Sequence, residues 1–206
     1  MKIVAIADTH TLHDSVDVPD GDMLIFAGDV CSRGSIMEVG IFAGWLAYLP
    51  HKYKIIIAGN HDWAFQRQHD VTVDHLGDVI YLQDDMIEIE GLKIYGSPWQ
   101  PEFCSWAFNL PRGDAIKQKW DMIPENIDVL VTHGPPKNIL DEVDEGTNEG
   151  CEELEKAVRR VKPKYHIFGH IHEGYGVYKS KDTVFINASV CNRNYDPINK
   201  PIEIEI

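Results

Sequence analysis

Short apolar runs alternate with polar segments along the first third of the chain. Residues 2–7, 23–27 and 53–58 are almost continuously apolar, as is typical of strands buried on both faces. Residues 35–49 carry apolar side chains at helical spacing, and Pro50 follows them. This pattern predicts strand, strand, helix and strand in that order, with polar residues after each strand.

The rest of the chain predicts more strands, with few helices between them. Residues 98–111 combine aromatic residues with proline and predict an ordered loop, and residues 140–149 predict an acidic loop. Many strands with interspersed helices favour a single α/β domain over residues 1–206, with two packed mixed sheets and helices outside. Strands are expected at 79–82, 86–90, 92–97, 129–132, 165–168, 176–179, 183–187 and 202–206, and helices at 113–120 and 151–161.

Side chains that commonly bind metals follow five of the apolar runs. In open α/β sheets, ligands bind beyond the carboxyl ends of the strands, so these segments should meet in one crevice. Their oxygen and nitrogen donors suffice for two divalent metals, a pair suited to the attack of water on a phosphate ester. The segments are Asp8-Thr9-His10, Gly28-Asp29, Gly59-Asn60-His61-Asp62, Thr132-His133-Gly134 and Gly169-His170-Ile171-His172.

Distinct roles are expected within this set. Asp29 is the natural carboxylate bridge between two metals, with a hydroxide between them as the nucleophile. His61 is expected to stabilise the transition state or to protonate the leaving group, and Asp62 to orient its imidazole. Mixed carboxylate, imidazole and amide ligands suit manganese first, with iron, zinc or magnesium as alternatives.

Substrate contacts are less sharply indicated. Arg112 suits a phosphate oxygen, because guanidinium binds in a bidentate manner, but it suits a surface position at a helix entry equally well. Arg33 and Arg193 are further candidates for a phosphate contact, and the sequence favours them less than Arg112. Aromatic residues can stack on a nucleobase, although packing is favoured for most of them. They are Trp99, Phe103, Trp106 and Tyr175.

Composition narrows the functional classes. The chain has 206 residues and a formal net charge of -14, which disfavours binding to long nucleic acids. A small phosphorylated substrate is less affected, because bound metals make the site locally positive. No apolar run is long enough to cross a bilayer, so we expect a cytosolic protein without a membrane partner. The four cysteines form no C-x-x-C pair and are expected as free thiols.

Taken in order, the five segments resemble the signature of the calcineurin-like metallophosphoesterase superfamily. The resemblance is closest to its small metallophosphoesterase-domain-containing subfamily, with supporting segments at residues 57–61, 81–84, 109–113, 132–136 and 172–176. It implies a four-layer αββα sandwich and a dinuclear site with His61 as the catalytic histidine. By this resemblance, Asp8, His10, Asp29 and His172 would bind the first metal, and Asp29, Asn60, His133 and His170 the second.

Several functions remain open at this point. A metal-dependent phosphodiesterase acting on a small diester, such as a cyclic nucleotide, leads. A phosphomonoesterase with the same site is the near alternative. A non-catalytic scaffold is less favoured, because such a chain would be expected to have lost ligands or His61. The net charge disfavours a nuclease.

Overall fold

Two mixed β-sheets organise this computed structural model, which describes residues 1–143 and 146–206. The strands are β1 (Lys2–Ile6), β2 (Met23–Ala27), β3 (Tyr53–Ile57), β4 (Ile80–Tyr81), β5 (Asp85–Ile89), β6 (Leu92–Ser97), β7 (Gln100–Pro101), β8 (Asn109–Leu110), β9 (Val129–Thr132), β10 (Glu142–Val143), β11 (Thr147–Asn148), β12 (Tyr165–Phe168), β13 (Gly176–Lys179), β14 (Val184–Asn187) and β15 (Ile202–Glu205). The helices are α1 (Ile36–Tyr48), α2 (Trp63–Arg67), α3 (His69–Asp74), α4 (Asp114–Asp121) and α5 (Glu152–Val161).

The first sheet has the strand order β15-β1-β2-β3-β4. Strands β1 to β4 run parallel, and β15 pairs antiparallel with β1. The second sheet has the order β13-β14-β12-β9-β6-β5, in which β14, β12, β9 and β6 run parallel and the two outer strands are antiparallel. The parallel strands therefore carry the centre of both sheets.

Alternation along the strands builds the layers. On β1, Ile3 and Ala5 face the core between the two sheets, whereas Val4 and Ile6 face a second core shared with α1. A third core lies on the outer face of the second sheet, where α4 and α5 cover it with residues such as Trp120. The four-layer αββα sandwich is thus confirmed, and it explains why the central strands are apolar on both faces.

Local signals set the helix ends. Ser35 and Glu38 form a capping box at the start of α1, which satisfies backbone donors that the first turn leaves free. The thiol of Cys151 accepts the Leu154 N–H at the start of α5, and Lys162 ends that helix in a left-handed conformation. Among the described residues, no helix is long and apolar enough to cross a membrane.

Two short helices differ from the sequence expectation. Helices α2 and α3 follow the Asn60-His61-Asp62 segment, and neither has a side-chain hydrogen bond at its N-cap, so no local start signal marked them. The predicted loop at 98–111 contains β7 and β8, which pair with each other. In the predicted acidic loop, β10 pairs with β11, and residues 144–145 lie outside the described part of the chain.

Candidate metal centre

The carboxyl ends of the parallel strands of both sheets meet at one place. Ala7, just after β1, bridges to Ser189, just after β14. Its N–H donates to the Ala188 carbonyl at 2.9 Å, and its own carbonyl accepts the Val190 N–H at 3.0 Å. Because this bridge ties the two sheets together, the segments that follow β1, β2, β3, β9 and β12 are brought into one buried cluster.

One group of donors surrounds His10. The His10 and His172 Nε2 atoms are 3.3 Å apart, and His172 Nε2 is 3.8 Å from Asp8 Oδ1. His10 Nε2 is also 3.8 Å from Asp29 Oδ2. Three or four donor atoms that face one another at such distances enclose a position where a cation can be bound.

A second group lies on the other side of Asp29. His133 Nε2 is 3.4 Å from Asp29 Oδ2 and 2.9 Å from Asn60 Oδ1. The ring centroids of His170 and His133 are 5.0 Å apart. The backbone N–H of His170 donates to Asp8 Oδ2 at 3.0 Å. Asp29 Oδ2 thus lies near an imidazole nitrogen of each group, as a carboxylate shared by both groups would.

Backbone carbonyl groups orient three of the imidazoles. The Nδ1 atoms of His133, His172 and His61 lie 2.9, 2.9 and 2.8 Å from carbonyl oxygens. A carbonyl oxygen only accepts hydrogen bonds, so each Nδ1 carries a proton and Nε2 becomes the coordinating or reacting nitrogen. The carbonyl groups belong to Ala27, Asn192 and Ser32, respectively.

The charges of the cluster favour a cation. Burial would raise the pKa of the Asp29 carboxyl, but the His133, His10 and His61 imidazoles hold that pKa far below its usual value. Burial would lower the pKa of His133, yet Asp29 raises it to about 9. Burial lowers the pKa of His10 to about 4 and that of His170 to about 3. Without a metal, His133 therefore holds a proton beside an ionised Asp29, in a position where a divalent cation can replace it.

An unsatisfied oxygen supports the same conclusion. Asp8 Oδ1 is buried without a hydrogen-bond partner, which is costly unless something else neutralises it. Donor atoms lie within 4.8 Å of one another in three sets of residues. The sets are Asp8, His10 and His172; His10, Asp29 and His61; and Asp8, Asp29 and His133. The residues present therefore fit divalent metal ions.

Backbone strain is concentrated at this cluster. Asp8, His10, Asp29 and His170 all have left-handed conformations, with φ of 55°, 43°, 58° and 71°. Such conformations cost on the order of 1–3 kcal/mol each and persist where the surroundings enforce them. Here the Asp8 and His10 N–H groups donate to the carbonyl groups of Gly28 and Asp29 at 3.0 and 3.1 Å. The segment that follows β2 therefore holds the backbone of Asp8 and His10 in these conformations.

The expected contact between Asp62 and the His61 imidazole is wrong. Both carboxylate oxygens of Asp62 instead accept backbone N–H groups, from Asp29, Val30, Cys31 and Gly59, at 2.8–3.3 Å. Burial and the nearby Asp29 charge raise the pKa of Asp62 to about 6, and the N–H groups oppose that shift. Asp62 thus anchors the backbone of two motifs, and the Ser32 carbonyl orients His61.

A cavity of about 550 Å³ opens above the donors. Arg112 and Arg193 line it, but the Arg112 guanidinium already donates to the Gly150 carbonyl at 2.8 Å and to Glu152 at 2.6 Å. Within the described part of the chain, the residues lining this cavity do not include Arg33 or Tyr175. The structure therefore does not bring these two predicted substrate contacts to the site.

Local geometry explains both exceptions. Arg33 is exposed and lies in the turn whose backbone is held by Glu38 at the start of α1. The Tyr175 hydroxyl donates to the Lys200 carbonyl at 2.8 Å. His13, for which the sequence assigned no role, packs under α1 against Phe42 and Trp45.

Sequence reasoning missed three neighbours of the donors. The Ser189 hydroxyl donates to Asp8 Oδ2, and its position just after a strand resembles that of the recognised motifs. The Tyr195 ring packs edge-on against His10 at 4.7 Å and His172 at 5.3 Å, between centroids. Trp106, considered above only as a packing or nucleobase-stacking residue, stacks on the ring of His61. Nothing in the local sequence marks Tyr195 for this position.

Fold and site together define an α/β protein whose two sheets converge on a cluster suited to divalent metals. Residues 1–174 match the sequence profile of the family described as calcineurin-like phosphoesterase. The chain therefore belongs to the calcineurin-like phosphoesterase family, which makes it a metal-dependent phosphoester hydrolase.

Individual relatives agree with this assignment. The chain is similar to metallophosphoesterase domain-containing protein 1 of Homo sapiens, with 44% identity over 230 residues, covering 100% of this chain and 71% of the relative. It is 38% identical over 216 residues to a UPF0046 protein of Caenorhabditis elegans, covering 98% of this chain and 74% of that protein.

Solved structures share the fold. Phosphopantetheinyl hydrolase from Mycobacterium tuberculosis superposes with a TM-score of 0.64 at 17% identity, covering 98% of this chain and 95% of that one. TT1561 of Thermus thermophilus gives a TM-score of 0.59 at 14% identity, covering 90% of this chain and 88% of that one. At such identities the likeness concerns the fold alone.

Proposed function

We propose that this chain is a dinuclear metal-dependent phosphodiesterase acting on small diesters such as cyclic nucleotides. The observation that carries the proposal is the position of Asp29, whose carboxylate lies between a His10 side and a His133 side at the floor of an open cavity. Asp8 and His172 complete the first side.

The proposed ligand set follows the resemblance drawn from the sequence. Asp8, His10, Asp29 and His172 would bind one ion, and Asp29, Asn60, His133 and His170 the other. Bound divalent ions, with manganese as our first choice, would lower the pKa of a water nucleophile and neutralise charge on the phosphoryl oxygens. The chain itself brings the Nε2 atoms of His10, His133 and His172 close to the other donors. Most of the proposed ligands are buried, and His170 and His172 are partly buried.

His61 is proposed as the catalytic histidine. Its Nδ1 donates to the Ser32 carbonyl at 2.8 Å, which leaves Nε2 available to the substrate, and the residue lines the cavity. From there, when the ring carries a second proton on Nε2, it can donate a hydrogen bond to the phosphate or transfer that proton to the leaving oxygen. One ring nitrogen of His61 also lies within 4.8 Å of donor atoms of His10 and Asp29, so metal content must be measured in any His61 variant.

The substrate class is tested with matched chromogenic esters. A metal-free preparation reloaded with manganese should hydrolyse bis-p-nitrophenyl phosphate with a higher kcat/KM than p-nitrophenyl phosphate. The size of the cavity supports a small diester. Much faster turnover of the monoester would favour the phosphomonoesterase instead, and no turnover of either ester would support a scaffold.

Two substitutions separate the proposed roles. Asp29→Ala should reduce the content of both metals and abolish turnover, because a bridging ligand serves both ions. His61→Ala should lower kcat while the metal content stays near that of the wild type. Loss of metal from His61→Ala would assign His61 to the ligands instead.

A further inference from the structure

The indole ring of Trp106 covers one face of the His61 imidazole. The ring centroids are 4.3 Å apart and the planes are inclined by 22°, which is a stacked arrangement. The ring of His10 meets the same imidazole edge-on at a centroid distance of 4.6 Å and an angle of 74°. His61 is therefore held between an aromatic residue from residues 98–111 and a proposed metal ligand.

Hydrogen bonds of the two residues after Trp106 hold this stretch of chain against the segment that carries His61. The Ala107 N–H donates to the Asn60 carbonyl at 3.0 Å. The Gln100 side-chain amide donates to the Ala107 carbonyl at 2.7 Å, and Gln66 accepts the Phe108 N–H at 3.0 Å. The residue after Trp106 is thus bonded directly to the residue before His61, so the two rings cannot shift far independently.

The imidazole needs such support. The hydrogen bond from Nδ1 to the Ser32 carbonyl sets the direction of Nε2 but lets the ring tilt about that axis. Stacking against a wide, rigid indole ring restricts this tilt, because parallel aromatic rings keep their favourable contact over a narrow range of angles. A transferring group that is misplaced by about 1 Å can lose about a hundredfold in rate.

We propose that Trp106 is a positioning residue that holds the His61 imidazole in the orientation from which it acts on the substrate. The proposal rests on the proposed function of His61. It differs from a packing role, because the effect of Trp106 must pass through His61. It also differs from stacking on a substrate base, because an effect through such stacking would not depend on His61.

A double-mutant cycle tests this dependence. In the manganese-loaded protein, Trp106→Ala should lower kcat for bis-p-nitrophenyl phosphate roughly 10- to 100-fold and change KM less than about threefold. Trp106→Phe, which keeps an aromatic face, should recover most of the loss. In the His61→Ala background, Trp106→Ala should have no further effect on kcat.

Tyr48→Ala provides the control, because Tyr48 is an aromatic residue of α1 that is 91% exposed and is not among the described residues that line the cavity. It should leave kcat within about twofold of the wild type. Metal content and thermal unfolding are measured for every variant. If Trp106→Ala fails to fold or to bind metal, the Trp106→Leu and Trp106→Phe cycles replace it.

A second readout does not depend on activity. An indole ring stacked at this distance shifts the carbon-bound ring protons of His61 upfield in the NMR spectrum of the metal-free protein, with His61→Ala providing the assignment. Trp106→Ala should move these resonances toward ordinary imidazole positions and broaden them, and Tyr48→Ala should not.

The outcomes separate the two proposals. If Trp106→Ala lowers kcat by the same factor with and without His61, Trp106 acts on the substrate or on the fold, and the positioning role is overturned. His61 resonances in Trp106→Ala at the same positions as in the wild type would overturn it as well. Wild-type turnover by His61→Ala would instead overturn the proposed role of His61 together with that of Trp106.

Discussion

Removing the Asp62 carboxylate should weaken the fold and, through it, the metal centre. The side chain is fully buried, and four backbone N–H groups converge on it. Oδ2 accepts those of Asp29 at 2.9 Å, Gly59 at 2.8 Å and Val30 at 3.3 Å, and Oδ1 accepts that of Cys31 at 2.9 Å. The carboxylate thereby joins the segments that follow β2 and β3.

The magnitude follows from the number of donors left without a partner. Asp62→Asn keeps one oxygen for three N–H groups but turns an amide NH₂ toward the N–H of Cys31. Two donors then lack an acceptor, the Cys31 N–H and one N–H of the amide. At about 1–3 kcal/mol for each unsatisfied buried donor, the substitution should cost about 2–6 kcal/mol. Asp62→Ala strands all four N–H groups and should cost more than about 4 kcal/mol, a large part of an ordinary 5–15 kcal/mol of stability.

Urea unfolding of the chelator-treated protein measures this cost directly. Asp17→Asn provides the control, because Asp17 is exposed, and it should change the free energy of unfolding by less than about 0.5 kcal/mol. An Asp62→Asn protein with wild-type stability, whose kcat nevertheless falls as far as that of His61→Ala, would refute the anchoring role. It would restore the expectation that Asp62 acts through the imidazole.

Three further predictions concern the close approach of Gly169 to Asp8, the contacts of Arg112 and the buried imidazole of His166. Gly169→Ala would place Cβ 2.3 Å from Asp8 Oδ2, so isothermal titration should show manganese affinity reduced at least about tenfold, and unchanged affinity would show that Asp8 moves without loss. Arg112→Ala should lower the free energy of unfolding by about 1–2 kcal/mol, because the Gly150 carbonyl loses its donor, and should change KM less than about threefold. A tenfold rise in KM at wild-type stability would indicate a phosphate contact instead. Burial lowers the pKa of His166 to about 3 from 6.5, so below pH 6.5 the unfolded state binds more protons and stability falls with decreasing pH, by up to about 1.4 kcal/mol per unit. His166→Leu should remove that part of the slope between pH 6.5 and 5, and an unaltered slope would contradict the assignment.

The chain pattern alone was sufficient for the central strands and for the order of the motifs. Strands β2, β6, β9 and β12 begin and end at the predicted residues, because in a four-layer fold both faces of a central strand are buried and most residues there are apolar. Local signals such as Ser35 with Glu38 also located α1. Helices α2 and α3 lack such signals and depend on packing.

Partners that are distant in sequence were decided by the tertiary structure. The Ser189 contact with Asp8 spans 181 residues, and Trp106 stacks on His61 where the Ala107 N–H donates to the Asn60 carbonyl. The same applies to Asp62. Its place next to His61 in the sequence suggested that it orients the His61 imidazole, but its carboxylate accepts four backbone N–H groups from the segments after β2 and β3. The local sequence around a residue indicates whether the residue is buried and which chemical groups its side chain carries. Which of those groups meet is fixed by the convergence of the two sheet edges, a property of the whole chain.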